Sequence, residues 1–118
     1  MMFTEFSAQV NTDLRSITDL TSKLTKGVDG VRPLLAEADD GETFVTYYVK
    51  NTGVGSKDVR EWQLVVICWA KKYDDAVGLA DETIQGLTDS RKYLFVSGEP
   101  QFNEQDEINT QLIFNILK

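Results

Sequence analysis

No histidine occurs anywhere in this 118-residue chain, and cysteine occurs once, at Cys68. Without an imidazole, Ser-His-Asp and Cys-His catalysis are excluded, and the commonest nitrogen ligand for transition metals is missing. One cysteine can form neither an intrachain disulfide nor a thiolate zinc site. Cys68 stands inside "LVVICWA", where nothing nearby in sequence supplies a base, so it reads as a small buried apolar residue and not as a nucleophile. Basic residues are also in short supply. Twelve Lys and Arg are scattered among 19 Asp and Glu, a net charge of -7. Proteins that hold nucleic acid neutralise phosphates with clustered cations, so specific DNA or RNA binding is not expected, and a surface of this sign would instead repel DNA that slides past it. No apolar run approaches the roughly 20 residues of a membrane helix. The opening "MMFTEFSAQV" has no basic flank leading into an apolar stretch and does not read as a secretory signal, which places the protein in the compartment where it is made.

What is present describes an ordinary globule. Hydrophobic residues make up 42% and charged residues 26%, enough apolar material for one core in one domain, residues 1–118. Phe6, Val10, Leu14, Ile17, Leu20 and Leu24 recur three or four positions apart, the spacing of a buried helical stripe. The threonines among them weaken helix propensity, which predicts either a break near Asn11, with Thr12 capping a second piece and Asp13 in its first turn, or a helix held by packing. Lys26-Gly27 is the stop signal. The apolar run from Val31 to Ala36 contains Pro33, which cannot donate a ladder hydrogen bond, so a strand there belongs at a sheet edge.

"TFVTYYVK", residues 43–50, is rich in aromatic and β-branched residues and reads as a strand. "EWQLVVICWA", residues 61–70, reads as a central strand. Its nearly continuous apolar core requires cover on both faces, from helices on one and from helices or another subunit on the other. Between the two lies "NTGVGSKDVR", a long hairpin tip or arm. The phosphate-loop alternative fails on spacing, because Gly53 and Gly55 flank a single valine and Ser56 precedes Lys57.

From Tyr73 the period changes from two to 3.6. Tyr73, Ala76, Ala80, Ile84 and Leu87 line one helical face, with Leu79 and Thr83 beside them, while Asp74 and Asp75 suit the positive helix start. The small Ala76 and Ala80 would let this helix lie close to the sheet, and the Tyr73 ring would plug the corner between strand and helix with its hydroxyl in solvent. After it come a short strand, "KYLFVSG", a polar loop, "EPQFNEQDE", and a last strand in "INTQLIFNILK". Glu104, Asp106 and Glu107 lack the alternation and glycine of a calcium loop, and turn chemistry accounts for Asp39, Asp40 and Glu42. No catalytic residue, cofactor or metal site is therefore expected. The fold expected is α+β: a mainly antiparallel sheet of four to five strands, two helices on one face, and a long hairpin arm between the second and third strands.

This order, with particular residues, resembles the small tail-completion and tail-terminator proteins at the head-to-tail junction of long-tailed bacteriophages. The features that carry the likeness are the leucine-spaced N-terminal helix, "GVRP" turning into a strand, "FVTYYV", and "VICWAKKYDDAVGLADETIQGL". In the last, Trp69 and Ala70 end the strand, Tyr73 opens the helix, and Ala76, Leu79, Ala80 and Asp81 follow the family's offsets. After Gly30 the chain departs from the family, with Leu34, Leu35 and an acidic turn where an aromatic and a second proline are usual. The resemblance implies a structural virion protein, assembled in the host cytoplasm from a phage or prophage gene. It would form a ring, commonly of six copies, that completes the tail tube and joins it to the head. Its partners would be further copies of itself, the tail tube protein and head connector proteins, with no reaction catalysed and no membrane. Lys50, Asn51, Lys57, Asp58 and Arg60, in or beside the arm, would contact a neighbouring subunit, with the solubility of an exposed hairpin as the competing account. Trp69, Tyr73, Ala76, Leu79 and Ala80 would form the structural corner. Two alternatives remain at this point: a small cytoplasmic dimeric interaction module, and an enzyme using Tyr73 with Asp74, Asp75 and lysines as acid and base.

Overall fold

A computed structural model describes residues 3–25, 27–33, 43–51, 62–102 and 108–116. Helix α1 (Phe3–Arg15) and the short α2 (Thr18–Thr21) lead through a 3-10 turn at Gly27–Gly30 into β1 (Val31–Pro33). Then follow β2 (Phe44–Asn51), β3 (Trp62–Ala70), α3 (Tyr73–Asp89), β4 (Tyr93–Phe102) and β5 (Ile108–Ile116). The five strands form one sheet in the order β1-β2-β3-β5-β4. All neighbours are antiparallel except β1, which adds to β2 in parallel. This is the α+β class that the sequence pattern predicts, with α2 as a small addition to the two expected helices. β1 is an edge strand, as Pro33 requires.

The helices share one face of the sheet. On α1, Phe6, Val10 and Leu14 are 2% exposed or less. They meet Val45 and Tyr47 of β2, Leu64 and Val66 of β3, and Phe114 of β5 in a single core cluster. The Phe6 ring lies 4.7 Å from that of Trp62. Two polar rows flank this stripe. Asn11 donates to the Tyr47 hydroxyl at 2.8 Å on the β2 side, while on the β4 side the Tyr93 hydroxyl donates to Asp13 Oδ2 at 2.6 Å. The helix is thus held by its apolar stripe below and by one tyrosine on each flank.

Of the two alternatives for the first segment, a helix held by packing is the one formed, and the capped break near Asn11 is corrected. α1 runs unbroken through Asn11 and Thr12 to Arg15, so Thr12 caps nothing, and Asp13, instead of opening a second helix, holds Tyr93 and lies 3.4 Å from Lys92 Nζ. The break falls at Ser16 and Ile17, where the Ile17 backbone is extended before α2 begins. Packing of Phe6, Val10 and Leu14 outweighs the weak propensity between them. The second correction concerns β4, which is ten residues long and extends through Glu99, Pro100 and Phe102, a stretch that reads as loop in the sequence. A bulge between Phe95 and Ser97 breaks the alternation that would have marked it, and Pro100 is tolerated because β4 is an edge. The helical segment ends before the expected stop at Lys26-Gly27: α2 closes at Thr21 with Ser22 as its C-cap, and Gly27, at φ +62°, opens the 3-10 turn in a conformation that glycine adopts without a Cβ clash.

Candidate interaction surface

Because side chains alternate along a strand, the core-facing set Leu64, Val66 and Cys68 fixes the residues that β3 turns away from the helices: Gln63, Val65, Ile67 and Trp69. The register places Phe44, Thr46, Tyr48 and Lys50 of β2 on the same side, and Asn109, Gln111, Ile113 and Asn115 of β5. β4 contributes Leu94, Ser97 and Glu99. The central strand is therefore apolar on both faces while every described helix packs on one. Val65 in the middle is 1% exposed and Thr46 and Asn109 are buried as well, so the centre of this face is already covered in the single chain. Tyr48, Ile67, Trp69 and Ile113 are half-buried, Leu94 on the edge strand is 55% exposed, and Val96, at the bulge and outside the register, is 48% exposed. Fixed contacts give this face a defined shape. Trp69 stacks on Phe44 with ring centroids 5.7 Å apart, and its Nε1 donates to Thr46 Oγ1 at 3.0 Å. At the other end Gln63 Nε2 donates to Asn115 Oδ1 at 3.0 Å.

The expected corner residues are divided between the two faces. Ala76, Leu79 and Ala80 are buried on the inner side of α3, and Trp69 lies on the helix-free face. Tyr73 opens α3 but is 55% exposed, so its ring does not plug the corner. Of the expected interface residues, Lys50 is exposed near the end of β2 and Asn51 is its last residue, paired in register with Trp62. Lys57, Asp58 and Arg60 lie outside the described residues, as do the rest of the arm, Leu34 and Leu35, the acidic turn at Asp39 to Glu42, and Glu104, Asp106 and Glu107.

The nucleophile and acid-base alternatives gain nothing from this geometry. Cys68 is buried, its Sγ 3.7 Å from the Thr83 hydroxyl, and burial pushes the thiol up to about 12, far from a thiolate at neutral pH. Burial, then the bond to Asp13, raises Tyr93 above its ordinary value, the mark of a hydroxyl that keeps its proton as a donor. A cleft of about 350 Å³ beside α3 is lined by Lys23, Thr43, Asp74, Asp75, Gly78 and Leu79, and Tyr73 is not part of its wall. Lys23 pairs with Glu82 at 3.1 Å. Among the described residues no group of three or more potential ligands is placed to hold a metal ion, and no helix is long and apolar enough to cross a membrane. Two features had no clear reading in the sequence: Asp13 as a tether, for which the only signal was the i, i+4 pair Gln9/Asp13 beside the stripe, and the exposed β4 rim.

Compared with known protein families, the chain matches no family model, and no curated protein matches it either. The functional reading therefore stands on the geometry above and on the resemblance carried by residues 62–87.

Proposed function

We propose that the chain is a structural virion protein of a bacteriophage head-to-tail junction. Copies of it form a ring, commonly of six, that completes the tail tube and joins it to the head. Its partners are then its own copies, the tail tube protein and the head connector proteins, in a virion assembled in the host cytoplasm. It catalyses no reaction and binds no specific nucleic acid. The observation that carries this reading is β3, apolar on both faces yet packed by described helices on only one. Val65 at the centre of the helix-free face is 1% exposed in the single chain, so a neighbour would cover the part-exposed side chains around it, Ile67, Trp69 and Ile113. The net charge of -7 supports it as well, since an acidic ring lets DNA pass without holding it. Head-to-tail contacts close into a ring when the rotation between copies allows it.

The same two-faced strand favours a second reading, a small cytoplasmic module that pairs with one copy of itself. Negative-stain images of concentrated protein separate the two. Closed rings of about six subunits are the expected result. A uniform population of two-lobed particles would replace the ring with the dimeric module.

A further inference from the structure

We infer that the long outer edge of the sheet, β4, does not accept an added strand, so that copies or partners of this chain dock there through side chains and not by extending the sheet. The chain has two prolines, and each lies in one of the two strands that end the sheet, Pro33 in β1 and Pro100 in β4. An edge strand offers a row of unpaired N–H and C=O groups to any extended segment, and shortness alone limits that row at β1, which has three residues. β4 is ten residues long, and from Val96 to Pro100 every residue is exposed. Its row needs another form of protection.

Three features of β4 supply it. Pro100 pairs in register with Thr110, and the pairing continues beyond it at Gln101 and Phe102, so its missing donor falls on the outer side, where a proline in a strand is tolerated. Outward and inward positions alternate along an antiparallel strand, which places the Gly98 N–H on that outer side as well. An added strand would bond to Gly98 but leave its own next carbonyl, opposite Pro100, without a donor. On the other side of Gly98 the register shift between Phe95 and Ser97 interrupts the row. A bulge leaves one residue out of the ladder and increases the local twist, so no added strand follows β4 straight from Tyr93 to Pro100. Between the two interruptions stands Glu99, exposed, with a charge that an added strand would strip of water. The row is thus cut into Tyr93 to Phe95 and Ser97 to Glu99, pieces as short as β1.

The inference concerns the edge alone and holds for a ring, a dimer or a single chain. Its test is amide hydrogen exchange along β4 combined with light scattering, from about 10 μM to about 1 mM protein. The wild type is compared with the double variant Glu99→Thr, Pro100→Thr and with Asp81→Thr, which removes an acid from the exposed side of α3 instead. Both β4 side chains are exposed and threonine favours strands, so circular dichroism and thermal unfolding should show an unchanged fold. In the wild type the Gly98 N–H should exchange freely at every concentration, including those at which heavier species form. The double variant should form species heavier than 13.3 kDa at concentrations roughly tenfold below any at which the wild type does, with the Gly98 N–H newly protected. Asp81→Thr should match the wild type. Protection of Gly98 that grows with wild-type concentration would overturn the inference without recourse to any variant. So would a double variant that associates no more readily than the wild type, or an Asp81→Thr variant that associates as readily as the double one.

Discussion

Replacing either of the two glycines inside α3 with alanine should move stability in opposite directions. Both Gly78 and Gly86 are helical, and alanine is favoured over glycine in a helix interior by about 1 kcal/mol. At Gly78 nothing lies within 4 Å of an added Cβ, so that gain should appear undiminished. At Gly86 the added atom would meet Ile17 Cδ1 at 2.6 Å, Cγ1 at 2.7 Å and Cγ2 at 2.9 Å. Both branches of Ile17 stand in the way, so no turn of the side-chain tip relieves the contact, and the segment joining α1 to α2 must shift. Overpacking of this kind costs about 1–3 kcal/mol, and with two branches displaced the upper part of that range applies. After the helix gain is subtracted, Gly86→Ala should be destabilised by about 1–2 kcal/mol, lowering Tm by roughly 4–8 °C, and Gly78→Ala should be stabilised by about 1 kcal/mol. Urea titration with a common m-value measures both. Adding Ile17→Ala to Gly86→Ala should cost at least about 1 kcal/mol less than Ile17→Ala alone, because the two side chains compete for one space. A Gly86→Ala variant as stable as Gly78→Ala would refute the seating of Ile17 on α3, and with it the placement of the chain break at Ser16.

Three further outcomes follow from the polar groups of the core. Tyr93→Phe removes the 2.6 Å bond to Asp13 and should lower the unfolding free energy by about 1.5 kcal/mol at neutral pH, the low end for a bond to a charged group because Lys92 remains near that carboxylate; no change in urea midpoint would mean the tether is idle. Among the described residues the Thr110 hydroxyl is buried without a hydrogen-bond partner, so Thr110→Val should stabilise by about 1 kcal/mol, and a loss of stability would contradict that reading. Burial raises the Cys68 thiol from 9.0 to about 12, so the contribution of the protonated thiol is complete below pH 9 and is lost as pH rises from 9 towards 12. Between those limits the wild type should lose about 1.4 kcal/mol per pH unit relative to Cys68→Ala, and parallel pH profiles would contradict the burial of this thiol.

The parts of this fold that are plain in the sequence are those where the local signal and the tertiary demand agree. β3 and α3 belong to this group: the apolar run and the change of period at Tyr73 coincide with the strand and helix formed, and Pro33 marks an edge because its missing donor leaves no other place. The signal failed where something non-local decided. For α1 the threonines left two alternatives, a break near Asn11 or a helix held by packing, and the burial of Phe6, Val10 and Leu14 selects the second. β4 was cut short because its bulge shifts the alternation by one residue and because Pro100 is allowed only on an edge, a fact about strand order that no local pattern contains. For the surface, the two-faced pattern of β3 called for cover on both faces, and the described helices supply it on one. The rim at Leu94 and Val96 was invisible, since it depends on β4 lying last in the sheet. Helical phase places Tyr73 in line with Ala76 and Ala80, but phase does not fix burial, and its ring is 55% exposed.

The central proposal, that copies of this chain close into a ring, is tested most directly by sedimentation velocity from micromolar to millimolar protein. A mass that rises with concentration from 13.3 kDa to a closed species, six copies or about 80 kDa for the ring, is the predicted result. A single 13.3 kDa boundary across the whole range would contradict it.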